Sequence, residues 1–301
     1  MAHLPRRAVI LASGPLYRLS LNTRRSVAMQ RRLSEASVRL NPVPRGTQVT
    51  PVRLGGQPAE RVQLGPAEPP RAVLYLHGGG YVLGSARMYR VLAAHLARST
   101  GAVVFTLDYR LAPEHRYPAA LQDAVAAFDE LVERHGFDPS RIAIAGDSAG
   151  GGLAVAAARA LTDSGRPPAA LALLSPWTEP SDSDMPDRDF VVNRAWGTSS
   201  AAMYRGTAEP TDPGYAPMYA NLAGLPPMLV QYGADEMLHD QIERFLARAR
   251  EAGCAVHAVE SPTLWHSGQV LAGLLRDATD AVHDVGVFLR PHLDAIDSPR
   301  R

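Results

Sequence analysis

An α/β fold built on a mostly parallel sheet is predicted by three observations. Short apolar runs alternate with helical patterns through most of the chain, as parallel strands joined by crossover helices do. Residues 118–135 show the helical half of the pattern plainly. Leu121, Val125, Phe128, Leu131 and Val132 recur on one face, with Pro118 at the start and Gly136 past the end. The chain's 301 residues, 46% hydrophobic and 20% charged, suit one large globular domain with room for a cap.

In chain order, residues 72–76 form a buried-strand run that ends in His77-Gly78-Gly79-Gly80. Residues 102–107 form the next strand, followed by a loop dense in charge and proline, 108–118. The helix over 118–135 leads to a β-branched strand at 141–145 and an Ala/Leu-rich helix at 150–162. Residues 173–177 end another strand, and 227–232 and 254–260 supply two more before a last helical segment.

Between the strand at 141–145 and the helix that follows lies Gly146-Asp147-Ser148-Ala149-Gly150, which fits Gly-x-Ser-x-Gly. That pattern is the sharp strand-to-helix turn that lifts a serine hydroxyl to the top of a sheet. Its glycines are required because Cβ atoms would collide in so tight a turn. Ser148 is therefore the candidate nucleophile. The three glycines after His77 lose much backbone entropy on folding, so they mark a close backbone approach, and exposed N–H groups there suit an oxyanion. A nucleotide site is excluded by the lack of Gly-x-Gly-x-x-Gly and of any lysine in the chain.

His77-Gly78-Gly79-Gly80, Tyr109-Arg110-Leu111-Ala112-Pro113-Glu114 and Gly146-Asp147-Ser148-Ala149-Gly150 resemble, in order and spacing, the signature blocks of hormone-sensitive-lipase-like enzymes. These are the bacterial family IV carboxylesterases, a branch of the α/β-hydrolases, and the resemblance runs from about Arg71 to the C-terminus. It implies an α/β-hydrolase fold with a helical cap and a carboxylic ester hydrolase activity. It also implies an oxyanion hole made by the main-chain amides of Gly79, Gly80 and Ala149.

In α/β-hydrolases the triad runs Ser, then Asp or Glu, then His. Asp235 lies just past the strand at 227–232, where open α/β sheets build their sites, and is the candidate acid. Glu236 is its substitute at one residue's offset. Asp240 reads as a charge at a helix N-terminus. Of the histidines that follow, His239 shares the acid's helix, His257 alternates within a strand, and His283 and His292 belong to the last helix. His266 alone sits in the loop after the last strand, where a base is expected. The predicted triad is Ser148, Asp235 and His266, acting through an acyl-enzyme.

Neighbouring residues read as structural. Arg110 and Glu114 are expected to pair in a rigid loop that braces residues 78–80 from behind. Asp147 points away from the site and is given no catalytic role, and Trp177 lies near the rim of the pocket.

Residues 1–50 hold nine arginines against one acid, Glu35. The apolar stretch after Arg6-Arg7 is too short for a signal segment or a membrane span. Residues 1–48 are expected to form an N-terminal cap, with 49–301 as the catalytic domain and a cap insertion at about 178–217. A membrane surface is not the expected partner, although a basic amphipathic stretch is the kind that binds one. The single cysteine, Cys254, gives no support for an oxidising compartment, so a cytoplasmic location is expected. No Cys/His cluster suggests a metal, and no cofactor is expected. The substrate class is a small carboxylic ester of short to medium acyl chain. The resemblance also carries a homodimer formed through the strand at 254–260. Competing readings are a lipase on long-chain acylglycerols at a membrane, a serine peptidase of the same fold and a non-catalytic ligand-binding relative.

Overall fold

Among the described residues, five of the eight strands are buried at every residue, and these five form the middle of one sheet. They are β3 (Ala72–Leu76), β4 (Val103–Leu107), β5 (Ile142–Asp147), β6 (Leu171–Leu174) and β7 (Met228–Gly233) in the computed structural model, which describes residues 3–37, 43–66 and 68–294. Strands covered on both faces read as continuous apolar runs. The outer strands differ: β1 (Thr47–Leu54) and β8 (Val256–Ser261) at the edges, with β2 (Gln57–Leu64) beside β1, are only partly buried. The strand order is β1-β2-β4-β3-β5-β6-β7-β8, with the β1–β2 and β2–β4 pairs antiparallel and every pair from β4 to β8 parallel.

The order reverses around β3, whose neighbours are β4 on one side and β5 on the other. Ligand sites of open α/β sheets form at such a reversal, beyond the strands' C-terminal ends. The loops after β3, β5, β7 and β8 all emerge there, and they carry His77, Ser148, Glu236 and His266.

Helices cover both faces. On one side α4 (Ala119–Glu133), α5 (Ala149–Asp163) and α7 (His239–Glu251) pack over Leu74, Phe105, Ile144 and Val230. On the other, α3 (Ala86–Thr100) and α8 (Arg276–Asp294) pack over Val73, Tyr75, Val104 and Leu229. Helix α3 shows why its ends fall where they do. The Ser85 hydroxyl accepts from the Met88 amide, and Gly101, at φ 65°, turns the chain out while its N–H bonds the Ala97 carbonyl.

The face that α4 buries is offset from the one its large residues suggest. Ala120, Ala124, Ala127, Phe128 and Leu131 are fully buried, while Leu121, Val125 and Val132 lie at the margin. Alanines allow α4 to sit close to its neighbours, so the small residues mark the contact line. The β1–β2 hairpin was not predicted. Its turn, Gly55-Gly56, carries positive φ at both residues, and a Cβ at Gly55 would lie 2.7 Å from the Ala127 amide of α4.

Helices α1 (Arg6–Ser20) and α2 (Val27–Ser37) form a cap with α6 (Arg194–Arg205). The Trp196 indole N–H donates to Gln30 Oε1 at 2.8 Å, Asn193 Nδ2 donates to the Leu21 carbonyl at 2.9 Å, and Tyr17 meets Phe190 edge-on. Thus the N-terminal residues and the segment around α6, far apart in sequence, close over the same end of the sheet. No described helix is long and apolar enough to cross a membrane.

Candidate active site

Strand β5 delivers the chain into a turn with one strained residue at its tip, Ser148, at φ 51° and ψ −120°. Such a conformation costs on the order of 1–3 kcal/mol and persists only where the surroundings enforce it. Here they do. The Ser148 amide donates to the Leu174 carbonyl at 2.9 Å, and its own carbonyl accepts from Trp177 at 2.8 Å and from Gly152. A Cβ at Gly146 would overlap the Gly150 carbonyl, and one at Gly150 would overlap the Leu76 carbonyl. Gly150→Ala is therefore expected to destabilise the fold by about 3 kcal/mol, an overpacking cost that thermal or urea unfolding would read.

His266 Nε2 lies 2.9 Å from Ser148 Oγ, so the structure brings together the serine and the histidine singled out in the sequence. The other ring nitrogen, Nδ1, faces Glu236 Oε1 at 3.4 Å. Asp235 does not reach the imidazole; its residue is exposed, whereas Glu236 is buried. The carboxylate that faces the imidazole is thus one position past the predicted acid. The turn after β7 explains the offset. The Glu236 amide bonds back to the Gly233 carbonyl, and its carboxylate folds over the same turn to accept from the Gly233 amide at 2.7 Å. The extra methylene of glutamate then reaches the ring from one residue further along. Ser175 Oγ donates to Glu236 Oε2 at 2.6 Å and accepts from the Ser267 amide at 3.1 Å, tying Glu236 to the histidine's own loop.

Burial alone would hold the His266 imidazole below its ordinary pKa. The hydrogen bond and charge of Glu236, with the charges of Asp189 and Asp147, outweigh it and raise the net value. With Nδ1–H directed at the carboxylate, Nε2 is left as the acceptor for the serine proton.

The glycine loop is held from below by Asp147. Buried beneath it, this carboxylate accepts from the Gly78 amide at 2.8 Å and from the Tyr75 and Tyr89 hydroxyls at 2.9 and 3.0 Å. Burial pushes its pKa up, and those donors offset only part of the rise. Asp147 does point away from Ser148, yet it is a positioning residue that the sequence did not reveal. The same loop is stacked and pinned by His77. Its ring lies 4.4 Å from that of Tyr109, whose hydroxyl donates to the His77 carbonyl at 2.6 Å. Full burial holds His77 at a pKa of about 4, so it stays neutral and serves as structure.

Arg110 and Glu114 do not pair with each other, against expectation. Arg110 makes a fork to Asp123 of α4, with Nη2 to Oδ1 at 2.7 Å. Glu114 pairs with Arg31 of α2 at 2.8 Å. The same arginine donates from Nε to the Val82 carbonyl and from Nη2 to the Ala112 carbonyl, each at 2.8 Å. The sequence hid this contact because Arg31 lies in the cap, 51 positions from Val82. The tie does brace the chain just past the glycines, together with the Ala112 amide, which donates to the Tyr81 carbonyl at 2.9 Å.

Gly79 and Gly80 carry φ of 115° and 62°, a backbone open to glycine and strained for others. A Cβ at Gly80 would come within 2.6 Å of the Trp196 ring, so the cap rests directly on the loop. Ala149 supplies the first amide of α5, which has no carbonyl partner inside its helix and lies at the positive end of the helix dipole. Trp177 is buried and faces Tyr81, with ring centroids 6.3 Å apart. Among the other histidines, His239 pairs with Asp240 and Glu260, and His257 is exposed on β8. Among the described residues no group of three or more His, Cys, Asp or Glu side chains could hold a metal.

A family model described as the α/β hydrolase fold matches residues 73–269. The crystal structure of an esterase from the bacterial hormone-sensitive lipase family superposes with a TM-score of 0.89 at 39% identity, covering 97% of this chain and all of that one. The chain belongs to this hormone-sensitive-lipase family of α/β hydrolases. It is a carboxylic ester hydrolase of that family. It is also similar to an acetyl-hydrolase of Streptomyces hygroscopicus, 40% identical over 226 residues that cover 73% of this chain and 75% of the relative. An esterase of Acinetobacter venetianus is 32% identical over 260 residues, covering 83% of this chain and 84% of the relative.

Proposed function

We propose that the enzyme hydrolyses esters of short to medium acyl chain by covalent catalysis, with Ser148 as nucleophile, His266 as base and Glu236 as the acid that orients it. The 2.9 Å contact between Ser148 Oγ and His266 Nε2 carries this reading. A serine hydroxyl is a weak nucleophile at neutral pH and needs a base within this reach. As Oγ attacks the ester carbonyl, His266 takes its proton and becomes an imidazolium, which the buried Glu236 carboxylate stabilises without itself taking the proton. The carbonyl oxygen becomes an oxyanion held by the amides of Gly79, Gly80 and Ala149; one such donor is typically worth ~100- to 1000-fold in rate. Collapse of the tetrahedral adduct expels the alcohol, protonated by His266, and leaves the acyl group on Ser148. Water then enters through the same base and releases the carboxylic acid.

The size preference rests on the cap. Trp196 and Ser200 of α6 crowd Gly80, and Tyr204 of the same helix stacks on Tyr81 with centroids 3.7 Å apart. The residues leading into α6 carry Asp182, Asp184, Asp187, Arg188 and Asp189, which break any continuous apolar face for an oil droplet to bind. The acetyl-hydrolase relative points the same way. With p-nitrophenyl esters, kcat/KM is expected to peak at short or medium acyl chains and to fall steeply by palmitate. With a short-chain triglyceride, the rate should saturate smoothly across the solubility limit. A jump as droplets appear would show a lipase instead. The free edge of β8 is where two copies would pair, and light scattering of the purified enzyme tests that part of the reading.

A further inference from the structure

A cavity of about 390 Å³ lies in the seam between α3 and α8, and none of the triad residues lines it. Its titratable lining is entirely basic: His3, His95 and Arg98 with His283 and Arg290, of which the two arginines carry charge. A carboxylate is absent from the described lining, in a chain whose positive and negative charges nearly balance. Arg98 and Arg290 thus bring two like charges to one cavity, an arrangement that favours an entering counter-charge.

The cavity is built as well as charged. His95 is 8% exposed, and its Nε2 has no hydrogen-bond partner although it is buried. A polar atom left so costs on the order of 1–3 kcal/mol. Gly273 leaves the room in front of it: at φ 87°, a Cβ there would lie 2.8 Å from that nitrogen. Arg290 is anchored by its Nε to the Ser99 carbonyl, and the Gly273 amide is fixed to Thr279 Oγ1 at 2.8 Å. Basic groups on two helices and a glycine-cleared nitrogen thus converge on one space.

We propose that this cavity binds a multiply charged oxyanion, phosphate or a phosphate monoester. Several converging donors favour a divalent, tetrahedral anion over a lone carboxylate, and guanidinium forks match its oxygens in pairs. Burial, then the charges of Arg98 and His3, keep the His95 imidazole below its ordinary pKa, so it meets the ligand neutral. The arriving charge would reverse that balance and draw a proton onto it, with the Arg290 guanidinium and the His283 ring facing it from α8. Binding should therefore tighten as pH falls. The prediction does not rest on the esterase mechanism.

The test is calorimetric titration of the Ser148→Ala protein with inorganic phosphate and with glycerol phosphate, at ionic strength matched by chloride. Saturable binding to both is expected. A tighter fit for glycerol phosphate identifies a monoester site, and equal affinities identify a site for the free anion. Arg98→Ala/Arg290→Ala, both changes at exposed positions, should weaken binding at least tenfold while the protein stays folded in chloride. Sulfate, whose charge is constant over the range, should bind at least threefold more tightly at pH 6 than at pH 8. Gly273→Ala should weaken binding by filling the space before His95. Heat effects no larger than chloride's, or affinity unchanged in the double variant, would overturn the proposal.

Discussion

Ser148→Ala is expected to lower kcat by roughly 10⁶-fold, the loss seen when a serine nucleophile is removed and only the remaining site acts. The fold should survive, because the turn is held by main-chain bonds from Ser148 to Leu174 and Trp177 that alanine keeps. Alanine loses only the hydroxyl and its contact with His266. A sulfonyl fluoride or an organophosphate should label the native protein once, at Ser148, and should not label the variant. Mass spectrometry of the intact and digested protein reads the stoichiometry and the position. Ester hydrolysis by a folded Ser148→Ala protein at more than a trace of the native rate would place the chemistry elsewhere.

His266→Ala should cost kcat by orders of magnitude, and His257→Ala should change it little. The first removes the group 2.9 Å from Ser148 Oγ, and the second an exposed side chain on the edge strand β8. This contrast was legible in the sequence because it depends on which loop follows which strand. A five-residue turn between a strand and a helix is local, so the Ser148 elbow could be read from Gly146 and Gly150 alone. The position of His266 follows from chain order and the end of β8.

What the sequence hid was decided by side-chain reach and by contacts across the fold. Aspartate and glutamate sit side by side after β7, and pattern reading cannot tell which carboxylate turns inward. Only the fold shows that position 235 faces solvent and position 236 folds over the Gly233 amide. Asp147 had a similar fate: its direction was right, but its partners Tyr75 and Gly78 come from β3 and the loop after it. Arg31 binds the backbone of Val82 and Ala112, and backbone acceptors leave no mark in a partner's residue type. The β1–β2 hairpin went unread because β1, at the sheet edge, and β2 beside it show weak alternation, and only Gly55-Gly56 marked its turn.

Glu236→Gln separates the two carboxylates and the two ways an acid can act. The substitution keeps the shape of the side chain while removing its charge, and should lower kcat by on the order of 10⁴-fold. Asp235→Asn, at an exposed position that does not reach His266, should leave kcat within a few-fold of native. The pH profile supplies a readout that structural damage would not mimic. In the native enzyme, Glu236 with Asp189 and Asp147 holds the His266 pKa above its ordinary value despite burial. The base is active only when deprotonated, so kcat/KM should rise with pH to a half-point above ~6.5, the ordinary histidine value. Without the Glu236 charge, burial is opposed only by the more distant carboxylates, the proton binds less tightly, and the half-point should move to lower pH. Asp235→Asn should leave it in place. The same acidward shift in Asp235→Asn, together with a comparable loss of rate, would restore Asp235 as the acid. A Glu236→Gln enzyme of native rate and native profile would show that the 3.4 Å contact has no part in orienting His266.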